Sequence, residues 1–225
     1  MCIRDRYYVD QISQTSQIGC DSGTYQPLTG QSSCDVSDAG YYVVPMTPQT
    51  SQTECGLGTY QPLTRKGACL TAEIGYYVDQ MAQTTQTECG LGTYQPLTGQ
   101  SSCDDSTPGH YVSTTAQYYQ SPCYVGTYNP NERSNSSSAC LSADIGHYVP
   151  VSGSPNQTAC PLKTSTVSTS SKNIEDCILD TDSDSIPNMI DLDDDGDNYS
   201  DFDEIECGSN AVSYTHLTLP TTPYV

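Results

Sequence analysis

The sequence predicts a small disulfide-rich fold of β and irregular structure: an elongated tandem repeat of short β-hairpin modules followed by an irregular, acid-rich segment. Three observations predict it. Twelve cysteines occur with no C-x-x-C pair among them. Ten of them fall into two series, Cys20, Cys55, Cys89, Cys123, Cys160 and Cys34, Cys69, Cys103, Cys140, Cys177, each advancing in steps of 34 to 37 residues. From Asp180 to Glu206 the chain then carries twelve carboxylates and no base.

The cysteine spacing speaks against zinc ribbons and dithiol redox motifs. It points to a disulfide framework made in an oxidising compartment, so the expected location is extracellular or at a cell surface. With no Trp, one Phe and eighteen Tyr among 225 residues, the aromatic area suits thin modules that pack on one side and reach water on the other. A net charge of -20 with only seven basic residues argues against binding to nucleic acid or anionic lipid, and no apolar run reaches the length of a membrane span. MCIRDR lacks the apolar stretch of a signal peptide. Tyr7-Tyr8-Val9-Asp10-Gln11 repeats Tyr76-Tyr77-Val78-Asp79-Gln80, yet the likeness stops at residue 6. Residues 1–6 and 211–225 look like translated sequencing-adapter ends. They are expected to be artefactual, with the export signal cut off and with Cys2 and His216 in no native structure.

Residues 7–160 are read as the tandem array. Each unit has two halves, one like Cys89-Gly90-Leu91-Gly92-Thr93-Tyr94-Gln95-Pro96-Leu97 and one carrying Gly-Tyr/His-Tyr-Val, as at Gly40, Gly75, Gly109 and Gly146. TECGLGTYQPLT occurs verbatim at 53–64 and at 87–98. A unit this short buries too little area to fold alone, so staples or stacked neighbours must hold it. Gly and Pro punctuate short Thr-Tyr and Tyr-Tyr-Val runs, which predicts a small hairpin per half and no helix.

Two disulfide registers compete. One pairs across the GTY half: Cys20 with Cys34, Cys55 with Cys69, Cys89 with Cys103, Cys123 with Cys140 and Cys160 with Cys177. The other pairs across the GYYV half and leaves Cys20 stranded, with Cys177 facing Cys207. The first is preferred because it uses ten cysteines with none left over and closes the shorter loops, each worth on the order of 3 kcal/mol in the chain-entropy account. The pattern C-x2-G-T-Y-x8-C at 55–69 and 89–103 resembles the first submodule of tumour-necrosis-factor-receptor-like and ephrin-receptor-like cysteine-rich repeats. That resemblance, over residues 20–177, implies the same pairing and a ladder of small β modules. The second halves lack the further cysteines those families carry.

The tyrosines are expected to pack over the disulfides and neighbouring modules, and His110 and His147 stand where sister units have tyrosine, as packing rings. No phosphate loop, HExxH or nucleophile elbow occurs, so no catalysis is expected. Residues 161–177, with the hydroxyl-rich TSTVSTSS, are read as a linker carrying the last repeat cysteine. Asn135-Ser136-Ser137 and Asn156-Gln157-Thr158 are N-glycosylation triplets.

Residues 178–208 follow. So many like charges stay disordered unless a cation binds them. Asp180, Asp182, Asp184, Ile186, Asn188 and Asp191 fall at positions 1, 3, 5, 7, 9 and 12 of an EF-hand-type loop, with Ile186 offering its carbonyl. Asp193, Asp195, Asp197, Tyr199 by its carbonyl, Asp201 and Glu204 repeat the set. The expected cofactor is Ca²⁺, an ion that accepts six to eight oxygens. Position 6 holds Ser185 and Asn198 where glycine is usual. A register starting at Asp191, with Gly196 at position 6, remains open for ions that share Asp191, Asp193 and Asp195. Only Leu192 separates the loops, so no helix fits between them. That abutment resembles thrombospondin type 3 repeats, which implies a chain wrapped around a row of calcium ions, with Ile186, Ile190, Phe202 and Ile205 in small apolar contacts between turns.

The function these readings predict is structural or adhesive: a fragment of a large extracellular or cell-surface protein whose acidic segment is stiffened by calcium. Cell-surface proteins or glycans are its expected partners. The alternatives are a receptor-like ligand-binding region and a non-catalytic accessory region of a secreted hydrolase.

Overall fold

The computed structural model describes residues 19–45, 49–208 and 211. The two ends read as artefact, with Cys2 and His216, lie outside them apart from Ala211. Among the described residues the array consists of nine two-stranded antiparallel sheets, each a hairpin. The first pairs Thr24–Tyr25 with Asp35–Val36, the second Tyr41–Tyr42 with Thr53–Glu54. The ninth pairs Thr164–Thr166 with Cys177–Leu179.

The two halves of each unit turn out to share one hairpin design. Tyr76 faces Glu88 and Tyr77 faces Thr87 in one half, just as Thr93 faces Asp105 and Tyr94 faces Asp104 in the next. Seven of these hairpins begin at a small residue that is fully buried: Ser37, Cys55, Ala72, Cys89, Ser106, Cys123 and Ala143 are all 0 % exposed. Buried Gln or Val follows six residues later, as at Gln61, Val78, Gln95 and Val112. The core is therefore built of small side chains and Gln/Val, while the paired tyrosines of the strands, such as Tyr41, Tyr42, Tyr76 and Tyr77, are only half-buried.

What closes a hairpin differs between the halves. In the GTY halves it is a disulfide, in the first of the two registers: Cys20–Cys34, Cys55–Cys69, Cys89–Cys103, Cys123–Cys140 and Cys160–Cys177. The last two bridges span 17 residues where the first three span 14. The longer loops hold short 3-10 turns, Ser137–Ala139 and Ile174–Asp176, just before the second cysteine. In the GYYV halves a glutamine does the bracing. Gln86 Oε1 accepts the Glu73 N–H at 2.8 Å while its Nε2 donates to Glu73 Oε2 at 3.4 Å. Gln52 does the same to Asp38, and Gln157 to Asp144. The buried glutamines of the GTY halves brace their own loops: Gln61 Nε2 donates to Ala68 O at 2.7 Å and its Oε1 accepts the Leu63 N–H at 3.2 Å.

The chain divides into two compact units. The first runs to Ser106 and includes Val112–Gln120 and Arg133–Asn135; the second takes Thr107–Tyr111, Ser121–Glu132 and the remainder from Ser136. Within the first unit, Gly58 N–H donates to Val78 O at 2.8 Å and Ala82 N–H returns to Cys55 O at 2.8 Å, so successive hairpins are joined by backbone. Gly58 has φ +74, and a Cβ there would collide with Gly99 O of the hairpin after next. Only glycine fits that crossing. Within the second unit, Gly126 N–H donates to Val149 O at 2.8 Å and Gly153 N–H to Cys123 O at 2.8 Å.

TSTVSTSS is not a linker. It folds as the ninth hairpin because its hydroxyls satisfy backbone that would otherwise be buried without partners. Gly146 N–H donates to Thr166 Oγ1 at 3.0 Å, Thr166 Oγ1 to Ser168 O at 3.2 Å, and Ser171 Oγ to Ser168 O at 3.0 Å. Ser165 and Thr166 are 1 % and 0 % exposed. A seven-residue helix, Asp201–Cys207, closes the acidic segment. Ser200 caps it by accepting the Asp203 N–H, and Gly208 ends it in the left-handed conformation.

Candidate metal centre

The acidic segment folds as two loops of one design, in the registers that start at Asp180 and Asp193. At position 2 a backbone N–H reaches the side chain at position 9: Thr181 N–H to Asn188 Oδ1 and Asp194 N–H to Asp201 Oδ1, both 2.8 Å. At position 6 it reaches the leading carboxylate, Ser185 N–H to Asp180 Oδ2 at 3.2 Å and Asn198 N–H to Asp193 Oδ2 at 2.8 Å. At position 7 it reaches position 5, Ile186 N–H to Asp184 Oδ1 at 2.7 Å and Tyr199 N–H to Asp197 Oδ1 at 2.9 Å. The turn at position 6 is left-handed in both, φ +80 at Ser185 and +73 at Asn198. A serine there is strained by about 1 kcal/mol or more relative to glycine.

These bonds turn alternate side chains inward. One carboxylate oxygen from each of Asp180, Asp182 and Asp184 lies within 4.8 Å of the others, and Asp193, Asp195 and Asp197 form a second such group. Either group can hold a metal ion. Asp180 is 3 % and Asp195 0 % exposed. Asp191, Asp201 and Glu204 lie outside the two groups. Asp191 instead accepts the Leu192 and Asp193 N–H groups at 2.7 and 3.1 Å, fastening the end of one loop to the start of the next. Glu204, 2 % exposed, sits on the helix. Asn188 and Asp201 hold position-2 amides, and Ile186 and Tyr199 carry the position-7 carbonyls.

Burial pushes the Asp194 carboxyl above its ordinary pKa, and the charges of Asp201 and Asp191 push the same way against a hydrogen bond from Asn188. Asp182 meets the second loop at Gly196, whose φ is +70. Ile186, Ile190, Phe202 and Ile205, the residues expected in apolar contacts between turns, are 42, 55, 75 and 70 % exposed. Pro187 is buried instead. A segment this short has no room to cover four large side chains once its carboxylates face inward. The helix that begins inside the second loop, at Asp201, was invisible as a pattern because its residues, DFDEIEC, read as ligands; Ser200 before Asp203 and Gly208 behind it were the available signals.

His110 and His147 lie in strands, their Nδ1 atoms 3.3 Å from Pro108 O and Ile145 O. No helix among the described residues is long and apolar enough to cross a membrane.

Fold and site together define a cysteine-rich tandem repeat with two acidic loops able to take metal. Comparison with known families finds likenesses from residue 133 onward. Residues 133–177 match the family described as tyrosine-protein kinase ephrin type A/B receptor-like. Residues 162–224 match the family described as BamM C-terminal, a stretch that takes in the ninth hairpin, both acidic loops and the helix. No curated protein matches the chain. The ephrin-receptor-like match and the five disulfides fit an extracellular ligand-binding or structural region.

Proposed function

We propose that the chain is a structural or adhesive part of a larger extracellular or cell-surface protein, in which calcium ions bound by the two acidic loops hold residues 178–208 in one shape. The observation that carries this is the repetition of three backbone-to-side-chain bonds in both loops, which gathers three carboxylates within 4.8 Å in each. Like charges at that distance repel by roughly 1 kcal/mol per pair even in bulk water, and more where water is excluded. A hard divalent cation with oxygen ligands offsets the repulsion. Asp180, Asp182 and Asp184 would hold one ion with Ile186 O, Asn188 and Asp191, and Asp193, Asp195 and Asp197 a second with Tyr199 O, Asp201 and Glu204. The thrombospondin type 3-like arrangement belongs to this proposal. Calcium acts structurally and no reaction is assigned.

Calorimetric titration of the chain with calcium tests it. A saturable signal with a midpoint of roughly 10⁻⁴ to 10⁻³ M is expected, and chelator should open residues 178–208 to protease while the first eight hairpins resist. An unchanged cleavage pattern with chelator sinks the calcium reading. The ephrin-receptor-like match favours a second reading, ligand binding by the array; a glycan and protein screen mapped to the tyrosines separates it from a purely structural role.

A further inference from the structure

We propose that the first acidic loop is the terminal cap of the hairpin array, so that a cation held there also governs the stability of the Cys160–Cys177 hairpin. This rests on the calcium reading above. The loop is set into the array in phase. In the second unit each hairpin opens with a residue whose N–H donates to the fourth residue of the hairpin before it: Ala143 to Gly126 O at 2.9 Å, then Cys160 to Gly146 O at 2.8 Å. Asp180 continues the series, donating to Lys163 O at 3.0 Å. Lys163 occupies the position of Gly126 and Gly146 and shares their left-handed conformation, φ +61. Asp180 thus starts the place of a tenth hairpin, and its carboxylate is buried where the array elsewhere buries Cys, Ser or Ala.

Two further bonds seat the loop on the ninth hairpin. Asn188 N–H donates to Leu179 O at 2.9 Å, and Ser165 Oγ to Ser185 O at 3.3 Å. Met189 lines one hollow together with Val167 and Ile178 of the hairpin. A repeat array needs a terminal element with a polar outer face to cover its last core layer, and here that element is the acidic loop. Its shape is not self-sufficient: Ser183 and Ser185 are both left-handed, φ +67 and +80, a conformation that non-glycine residues keep only when the surroundings impose it. A cation bound by Asp180, Asp182 and Asp184 imposes it, and the terminal strand Cys177–Leu179 keeps its cover.

The test combines calcium calorimetry with hydrogen exchange on the full chain. In wild type, removing calcium should speed exchange at Thr164–Thr166 by about 5-fold or more, the usual lower bound for coupled sites. The strands His147–Tyr148 and Thr158–Ala159 serve as the internal reference. Asp184→Asn, which changes no contact with the hairpin, should weaken calcium binding and reproduce that faster exchange in the presence of calcium. By linkage Ser165→Ala, which removes the hairpin's bond to Ser185 O and touches no carboxylate of the loop, should weaken calcium binding by about 3- to 10-fold. Calcium heat with unchanged exchange at Thr164–Thr166 overturns the cap and leaves the calcium reading standing; no calcium heat overturns both.

Discussion

Asp182 of the first acidic loop packs against Gly196 of the second, so closely that a Cβ on Gly196 would stand 2.7 Å from Asp182 Oδ2 and 3.1 Å from its Cβ. Gly196 lies at position 4 of its own loop and is left-handed there, φ +70, as Ser183 is at position 4 of the first loop, φ +67. It serves both its own turn and its neighbour. The contact joins the two carboxylate groups into one body, which the single residue Leu192 between the loops could not do alone.

Gly196→Ala should therefore loosen both loops at once. Left-handed strain and the clash with Asp182 together should cost about 1–3 kcal/mol. Thermal melting in saturating calcium measures it; a variant as stable as wild type would show that the loops do not lean on each other.

The identity of register between the halves predicts a new disulfide. Ala72 and Gln86 occupy the positions of Cys89 and Cys103 in the next hairpin, since the strand pairs that follow them match residue for residue. Ala72→Cys with Gln86→Cys should oxidise spontaneously to a further bridge, read as a loss of two mass units without free thiol. Persistent thiols in the folded double variant would mean that the halves differ in geometry near the bridge.

Acid should weaken the ninth hairpin through Asp176. Its carboxylate accepts the Asn173 and Lys172 N–H groups at 2.9 and 2.7 Å, which holds its pKa below the ordinary value. A carboxyl depressed on folding contributes stability that is complete above its unfolded pKa and lost as pH falls through the folded one. The amides of Lys172 and Asn173 should lose protection as pH drops below about 4, and Asp176→Asn should remove that pH dependence. An NMR titration without calcium separates this from cation loss.

Much of this architecture was written in residues that have no substitute. Cysteines mark their own partners by covalent need, so the ladder and its pairing could be read. Asp180 to Asp191 and Asp193 to Glu204 kept the spacing of a cation loop, and the backbone bonds fall in those registers. The equivalence of the halves was hidden because Ser37, Ala72, Ser106 and Ala143 match the cysteines in volume and burial and in nothing a spacing rule can see. Gln52, Gln86 and Gln157 look like ordinary surface glutamines until the acid beside the opposite strand is placed. TSTVSTSS lacked apolar periodicity because hydroxyl-to-backbone bonds, more than apolar burial, hold the ninth hairpin.

Each of the five bridges begins and ends inside one hairpin, and among the described residues no bond of that kind ties one copy to another. Recombination between the near-identical stretches at 53–64 and 87–98 would add or delete a whole unit together with both of its cysteines, leaving no orphan thiol to misfold. The length of the array is thus free to drift from one generation to the next, and only its final acid loop must stay in phase.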